Sequence, residues 1–256
     1  MTNNYKMGLV SVSFRQESPE KILEAMKKAK LTYIEWGSDV HAPYDDEEKL
    51  KEIVSLQEKY GIKCSSYGTY FRLGITPIGE LQGYIDAAKT LETNVLRLWC
   101  YNKNSADMTD AEREVLTNQC REAAKIAETN NVILCLECHM GTFTENPLDA
   151  VWLMDEINSP HFRMYWQPFQ YQTPQENIIN AKTISPYAIN LHVFNWEKDK
   201  KYPLSEAITE WQIYLEQFSA EHTLLLEFMP NDTLEELEAE ANALKEIINK
   251  ERCHNV

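Results

Sequence analysis

The chain has 256 residues, 25 of them Lys or Arg and 40 Asp or Glu, for a formal charge of −15. With 43% apolar and 25% charged residues it has the composition of an ordinary globular chain and not of a disordered one. Its apolar runs, such as Leu224 to Leu226, fall far short of the roughly 20 residues a membrane helix needs. The acidic balance argues against a nucleic-acid partner, whose affinity comes largely from Lys and Arg on phosphates.

From the N-terminus, Met1 to Lys6 lacks the basic start and apolar stretch of a signal peptide, so a cytoplasmic protein is expected. A strand is predicted over Lys6–Phe14, and Ser18-Pro19-Glu20 then opens a helix with a capping residue before proline. Strands follow at Tyr33–Trp36, Lys63–Tyr70 and Val95–Tyr101, with Lys59-Tyr60-Gly61 ending the helix before the third. Thr76-Pro77, Asn146-Pro147 and Thr173-Pro174 repeat the capping device, and Thr109-Asp110-Ala111-Glu112 is a capping-box pattern. Further strands are predicted at Val132–His139, Arg163–Gln167, Ile189–Trp196 and Thr223–Met229, and a charge-rich helix follows Thr233. The six cysteines (64, 100, 120, 135, 138 and 253) are scattered and read as reduced thiols. Cys135 and Cys138 form a CxxC, but within a strand residues three apart point to opposite faces, which argues against a zinc or redox pair.

Eight strand-plus-helix units in a chain of this length match a closed parallel (β/α)8 barrel, which takes about 250 residues. An open doubly wound sheet would want a glycine-rich turn after its first strand, and Ser13-Phe14-Arg15-Gln16-Glu17 has none. No linker or composition shift marks a second domain, so residues 1–256 are read as one barrel domain.

In such a barrel the site lies at the C-terminal ends of the strands. Glu137, His192 and Glu227 each interrupt an apolar strand at matching depth, where an ionisable side chain is costly without a partner. Two carboxylates and an imidazole converging on one point form the donor set of a divalent ion such as Mn, Mg, Co or Zn. The carboxylates would also suit proton transfer at carbon. Glu137 and His139 share a face by the period of two. Tyr67 ends the third strand. Trp36, Trp99, Trp166 and Trp196 fall at strand ends, where flat faces suit a sugar ring or simple packing. His41 is a candidate pocket residue. Arg97 suits either a substrate oxygen or a structural pair with Glu35. Lys198, Lys200 and Lys201 offer a phosphate grip or a solvated loop.

The run Leu136-Glu137-Cys138-His139 followed by Gly141-Thr142-Phe143-Thr144 resembles the strand-five motif of the xylose isomerase-like TIM barrels, the sugar phosphate isomerase/epimerase superfamily. Ile34-Glu35-Trp36-Gly37, Val95-Leu96-Arg97, Leu191-His192-Val193-Phe194 and Leu226-Glu227-Phe228 extend the resemblance along the chain. It implies a single divalent metal held by Glu137, His192 and Glu227, with Glu137 and Glu227 as the acid/base pair of a sugar isomerase or epimerase working through an enediolate. At the strand-six position the family usually has Asp, and Gln167 stands there instead. An amide oxygen still ligates a hard cation but removes one negative charge, which should weaken metal binding unless His139 turns inward as a further ligand. His41, Tyr67, Arg97, Trp99, His139, Trp166 and Trp196 are read as substrate-binding.

The loops Glu197–Pro203 and Pro230–Thr233 contain no glycine for a phosphate grip. The expected substrate is therefore an unphosphorylated sugar, polyol or small hydroxy-carbonyl acid. The alternative prompted by Gln167 is a barrel that binds sugar without converting it. A third, an abasic-site endonuclease-like phosphodiesterase, is opposed by the charge and by only six histidines, among them His161 and His254. The resemblance also allows a homo-oligomer.

Overall fold

A computed structural model of the chain describes residues 5–218 and 222–251, so Cys253 and His254 lie outside the described residues. Eight strands alternate with eight helices. The strands are β1 (Lys6–Val10), β2 (Tyr33–Gly37), β3 (Lys63–Leu73), β4 (Val95–Cys100), β5 (Ile133–Glu137), β6 (Phe162–Trp166), β7 (Ala188–Val193) and β8 (Thr223–Leu226). The helices are α1 (Pro19–Ala29), α2 (Glu47–Tyr60), α3 (Leu81–Thr90), α4 (Asp110–Asn130), α5 (Pro147–Ile157), α6 (Pro174–Ile184), α7 (Ile208–Leu215) and α8 (Leu237–Glu251). Each strand pairs in parallel with its neighbours in sequence, and β1 also pairs with β8, which closes the barrel. No described helix is long and apolar enough to cross a membrane.

The caps behave as the sequence predicts. Ser18 accepts from the Lys21 N–H with Pro19 in the first turn, and Thr109 and Thr173 form capping boxes with Glu112 and Glu176. Gly61 ends α2 in the left-handed region at φ 69°. Thr76-Pro77 is a correction, because a 3-10 turn at Ile78–Glu80 precedes α3 and the Thr76 hydroxyl accepts from the Arg72 N–H instead.

Several strands end earlier than predicted, and the reason is visible at β1. Ser11–Phe14 leaves the sheet as a 3-10 turn. Its hydroxyls take over from the ladder: Ser11 Oγ accepts from the Gly37 N–H at 2.9 Å and Ser13 Oγ from the Phe228 N–H at 3.0 Å. The first strand thus tethers the ends of β2 and β8 through side chains.

Alternation along each strand divides the core. Val10, Val12, Cys135, Tyr165 and Leu225 pack together inside the barrel. Leu134, Leu136 and Cys138 belong to the larger layer between strands and helices. Cys135 and Cys138 therefore sit on opposite sides of the sheet wall, and five of the six cysteines are free thiols.

Helix α8 closes the outer ring through a buried carboxylate. Both oxygens of Glu240 accept from the Leu204 N–H, at 3.2 and 3.1 Å. Burial pushes its carboxyl up to about 7, against the Leu204 N–H and with help from Glu236. The folded protein therefore holds a proton there that the unfolded chain releases, and stability from this group is lost as pH rises through about 7. Glu240→Gln keeps an acceptor without the charge. We expect it to raise the melting temperature at about pH 8, with the gain vanishing below about pH 5, as followed by circular dichroism across pH.

Candidate functional site

Inward-facing positions at the strand ends gather one cluster. Glu137 is the last residue of β5, His192 lies near the end of β7, and Glu227 follows β8 directly. One potential ligand atom from each lies within 4.8 Å of the other two. His192 Nδ1 stands 3.3 Å from Glu227 Oε2 and 3.4 Å from Glu137 Oε1. Gln167 Oε1 is 3.1 Å from the same nitrogen. One nitrogen and three oxygens thus face a common point. The His192 ring is held edge-on against Tyr165, with centroids 5.2 Å apart. The Tyr165 hydroxyl is itself fixed by the Asn190 amide, which donates to it at 2.6 Å.

A second layer of charge supports this point. Arg97 on β4 donates from Nε to Glu35 Oε1 at 3.0 Å and from Nη1 to Glu137 Oε2 at 2.5 Å. Both partners are buried, so the two sequence alternatives for Arg97 resolve into one geometry: it pairs with Glu35 and also borders the cavity. Gly68 on β3 leaves room for the pair. A Cβ there would come within 2.7 Å of Glu35 Oε1 and 2.9 Å of Arg97 Nη2.

Burial favours the neutral form of each carboxyl, but Arg97 outweighs it. Glu35 is brought down to about 2 and Glu137 is held well below the usual carboxylate range. Burial opposes a charge on His192, yet Glu227, Glu137 and Glu35 together push its pKa well up. The charge count explains this. Three carboxylates (Glu35, Glu137 and Glu227) face one guanidinium, so the barrel interior calls for more positive charge. A proton on His192 supplies part of it, and a divalent cation bound in place of that proton would supply all of it. Two carboxylates, an amide oxygen and an imidazole nitrogen fit such an ion of hard or borderline character.

Above the cluster opens a cavity of about 340 Å³. Trp99, His139 and Trp196 line it with Arg97, Glu137, Gln167 and Glu227. Arg15, Tyr70, Phe194 and Phe228 also line it; Phe194 and Phe228 belong to motifs of the family resemblance, but the sequence marks none of the four as a site residue. Arg15 lies on the loop that follows β1, and the rule that barrel sites sit on such loops is the signal that would have found it. Its guanidinium is fixed by Asp39 Oδ2 at 2.6 Å, the Tyr70 hydroxyl at 2.5 Å and the Val12 carbonyl at 3.1 Å.

Three expected pocket residues, Trp166, Tyr67 and His41, lie elsewhere, and Trp36, open between stacking and packing, takes the packing role. Trp166 is 1% exposed and packs against Trp211, Tyr214 and Phe218 beneath the helices. Tyr67 donates its hydroxyl to the Ala42 carbonyl at 2.5 Å and packs on Tyr84. Trp36 donates its indole N–H to Gln57. The cause in each case is the two-residue period: their neighbours Gln167, Gly68 and Glu35 face inward, so they face outward. His41 is buried in the loop after β2, its ring nitrogens 3.1 Å from Ser11 Oγ and 3.2 Å from the Glu17 carbonyl. Burial lowers its pKa, which suits a structural imidazole. Of the three lysines after β7, Lys201 is committed to Asp232 and lies over the Trp196 ring, while none borders the cavity.

A barrel of eight parallel strands with carboxylates and imidazole at its C-terminal mouth defines a class, and comparison with known families agrees. Residues 23–247 match the family model described as xylose isomerase-like TIM barrel, and the chain belongs to that family. Among characterised proteins it is similar to the 3-dehydroshikimate dehydratase of Bacillus anthracis, with 24% identity over 93% of this chain and 96% of that protein. Its fold is shared by the D-psicose 3-epimerase of Clostridium cellulolyticum, solved with D-tagatose, at a TM-score of 0.71, 13% identity and coverage of 97% and 98%. The IOLI protein, solved with a bound zinc atom, superposes at a TM-score of 0.74, with 16% identity and coverage of 96% and 98%.

The division between wall and core has a direct consequence. Trp166→Ala should cost about 3–5 kcal/mol of unfolding free energy, the range for a large core aromatic. Trp99→Ala, at the cavity wall, should cost far less. Urea unfolding of the two variants checks this.

Proposed function

We propose that the chain is a divalent-metal-dependent enzyme that moves a proton at the carbon beside a carbonyl of a small polyhydroxylated substrate, as a sugar isomerase or epimerase does. The convergence of Glu137, Gln167, His192 and Glu227 at the floor of an aromatic-walled cavity carries this reading. These four side chains would hold the cation. When bound, it supplies positive charge beside substrate oxygens that become negative as the proton leaves.

The two carboxylates are not equivalent. Arg97 holds Glu137 as a weakly basic carboxylate, oriented with one oxygen on the guanidinium. The one ion pair of Glu227 among the described residues is with His192. Glu227 is therefore the group assigned to take the carbon-bound proton, and Glu137 chiefly orients. Trp99 and Trp196 line the cavity, and aromatic walls suit the C–H faces of a ring.

A second reading, dehydration, has its own support. His139 Nδ1 lies 2.7 Å from the Met140 carbonyl and so donates to it, which leaves Nε2 as the ring nitrogen available to a substrate. With a second proton on Nε2, the ring would act as general acid: it gives that proton to the departing hydroxyl, which leaves as water, while Glu227 takes the proton from carbon. The similarity to a dehydratase points the same way.

Purified protein loaded with Mn2+, Co2+, Mg2+ or Zn2+ should exchange carbon-bound substrate protons with deuterated water when supplied with ketoses or cyclic hydroxy ketones. Glu227→Gln should abolish that exchange. Mass spectrometry separates the two readings, since an isomerised product keeps its mass and a dehydrated one loses a water. Tight sugar binding with no exchange on any of these substrates would instead mean a binding barrel.

A further inference from the structure

We propose that Glu35 is a positioning residue for the metal centre, acting through the His192 imidazole and replacing the negative charge that Gln167 does not provide. The inference rests on the reading above, in which His192 is a ligand. Glu35 lies on β2, is 0% exposed, and has no part in the proposed reaction. Its Oε2 accepts from the Ser66 hydroxyl at 2.8 Å and its Oε1 accepts from Arg97 Nε at 3.0 Å. That same Oε1 stands 3.6 Å from His192 Nε2.

The two nitrogens of His192 have different surroundings. Nδ1 faces the oxygens of Glu137, Gln167 and Glu227. Nε2 is buried with no hydrogen-bond partner, and Glu35 is the carboxylate within 4 Å of it. A neutral imidazole that gives the Nδ1 lone pair to a cation must carry its single proton on Nε2. In this site the acceptor at hand for that proton is Glu35 Oε1 at 3.6 Å, and a closure of a few tenths of an ångström brings the pair to hydrogen-bond distance. A carboxylate behind a ligating histidine fixes its tautomer and raises its basicity.

The placement also answers the charge lost at strand six. With Gln167 neutral, the four donors carry only the charges of Glu137 and Glu227. Glu35 brings a third negative charge on the Nε2 side of the His192 ring, opposite the nitrogen that faces the other donors. Arg97 bridges Glu35 and Glu137, which holds the Glu35 carboxylate in place behind the imidazole.

The test is Zn2+ affinity by calorimetry on chelator-treated, full-length protein. Glu35→Gln should weaken Zn2+ binding about 10- to 100-fold, the range for loss of such a supporting carboxylate. Gln167→Asp added to that variant should recover much of the loss. Glu35→Asp keeps the charge for Arg97 but draws the oxygen away from Nε2, so it gives the same loss should Glu35→Gln not fold. In Zn2+-loaded protein labelled with 15N-histidine, the His192 proton should sit on Nε2 and exchange slowly, and Glu35→Gln should speed its exchange. Unchanged affinity in both Glu35 variants, or a His192 proton on Nδ1 in the loaded protein, overturns the relay and leaves the metal-dependent reading standing. No Zn2+ binding by the unaltered protein overturns both.

Discussion

The balance of charge inside the barrel is the constraint on which the site depends. Removing an ionised carboxylate from water is costly, and an uncompensated buried charge destabilises a fold by about 3–5 kcal/mol. Here Glu35, Glu137 and Glu227 are gathered within one strand ring around a single guanidinium. Much of the surrounding architecture serves that group. Gly68 gives Arg97 and Glu35 room, Ser66 satisfies the second oxygen of Glu35, and Tyr165 with Asn190 fixes the imidazole between them. The remaining demand for positive charge is met by raising the pKa of His192, and the same demand makes the site receptive to a cation.

Around that floor the chain builds an apolar collar, partly from strained backbone. Phe228 adopts φ 54°, a left-handed conformation uncommon for a bulky residue. It follows Glu227 directly, and its N–H donates to Ser13 Oγ. The turn carries the chain out of β8 immediately after the carboxylate and sets the Phe228 ring against Trp196. Lys201 lies over both rings and is anchored by Asp232. The short ribbon of Trp196–Glu197 with Lys200–Lys201 is thereby fixed beside the cavity.

Two signals make the barrel legible in the amino-acid sequence. The alternation of short β-branched runs with capped amphipathic segments is local, and local propensity is written in adjacent residues. The polar interruptions Glu137, His192 and Glu227 stand out because apolar strands rarely carry ionisable groups. Strand propensity runs past the true strand ends at β1, β5, β7 and β8. At β1 and β8, loop side chains such as Ser11 and Ser13 replace ladder bonds, and no propensity reveals that exchange.

By itself the sequence determined the eight-unit barrel and the three ionisable residues at its mouth, because periodicity and the cost of buried charge operate within a strand. Tertiary structure decided which aromatics form walls. Trp99 and Trp196 border the cavity while Trp36, Tyr67 and Trp166 lie in the outer layer, a choice set by strand register and visible only once inward neighbours are known. It also decided that Glu35, Arg97, Glu137 and His192 form one network. Those residues come from four strands spread over more than half the chain, and only closure of the barrel brings their charged groups within 4 Å of one another in a chain of pairs.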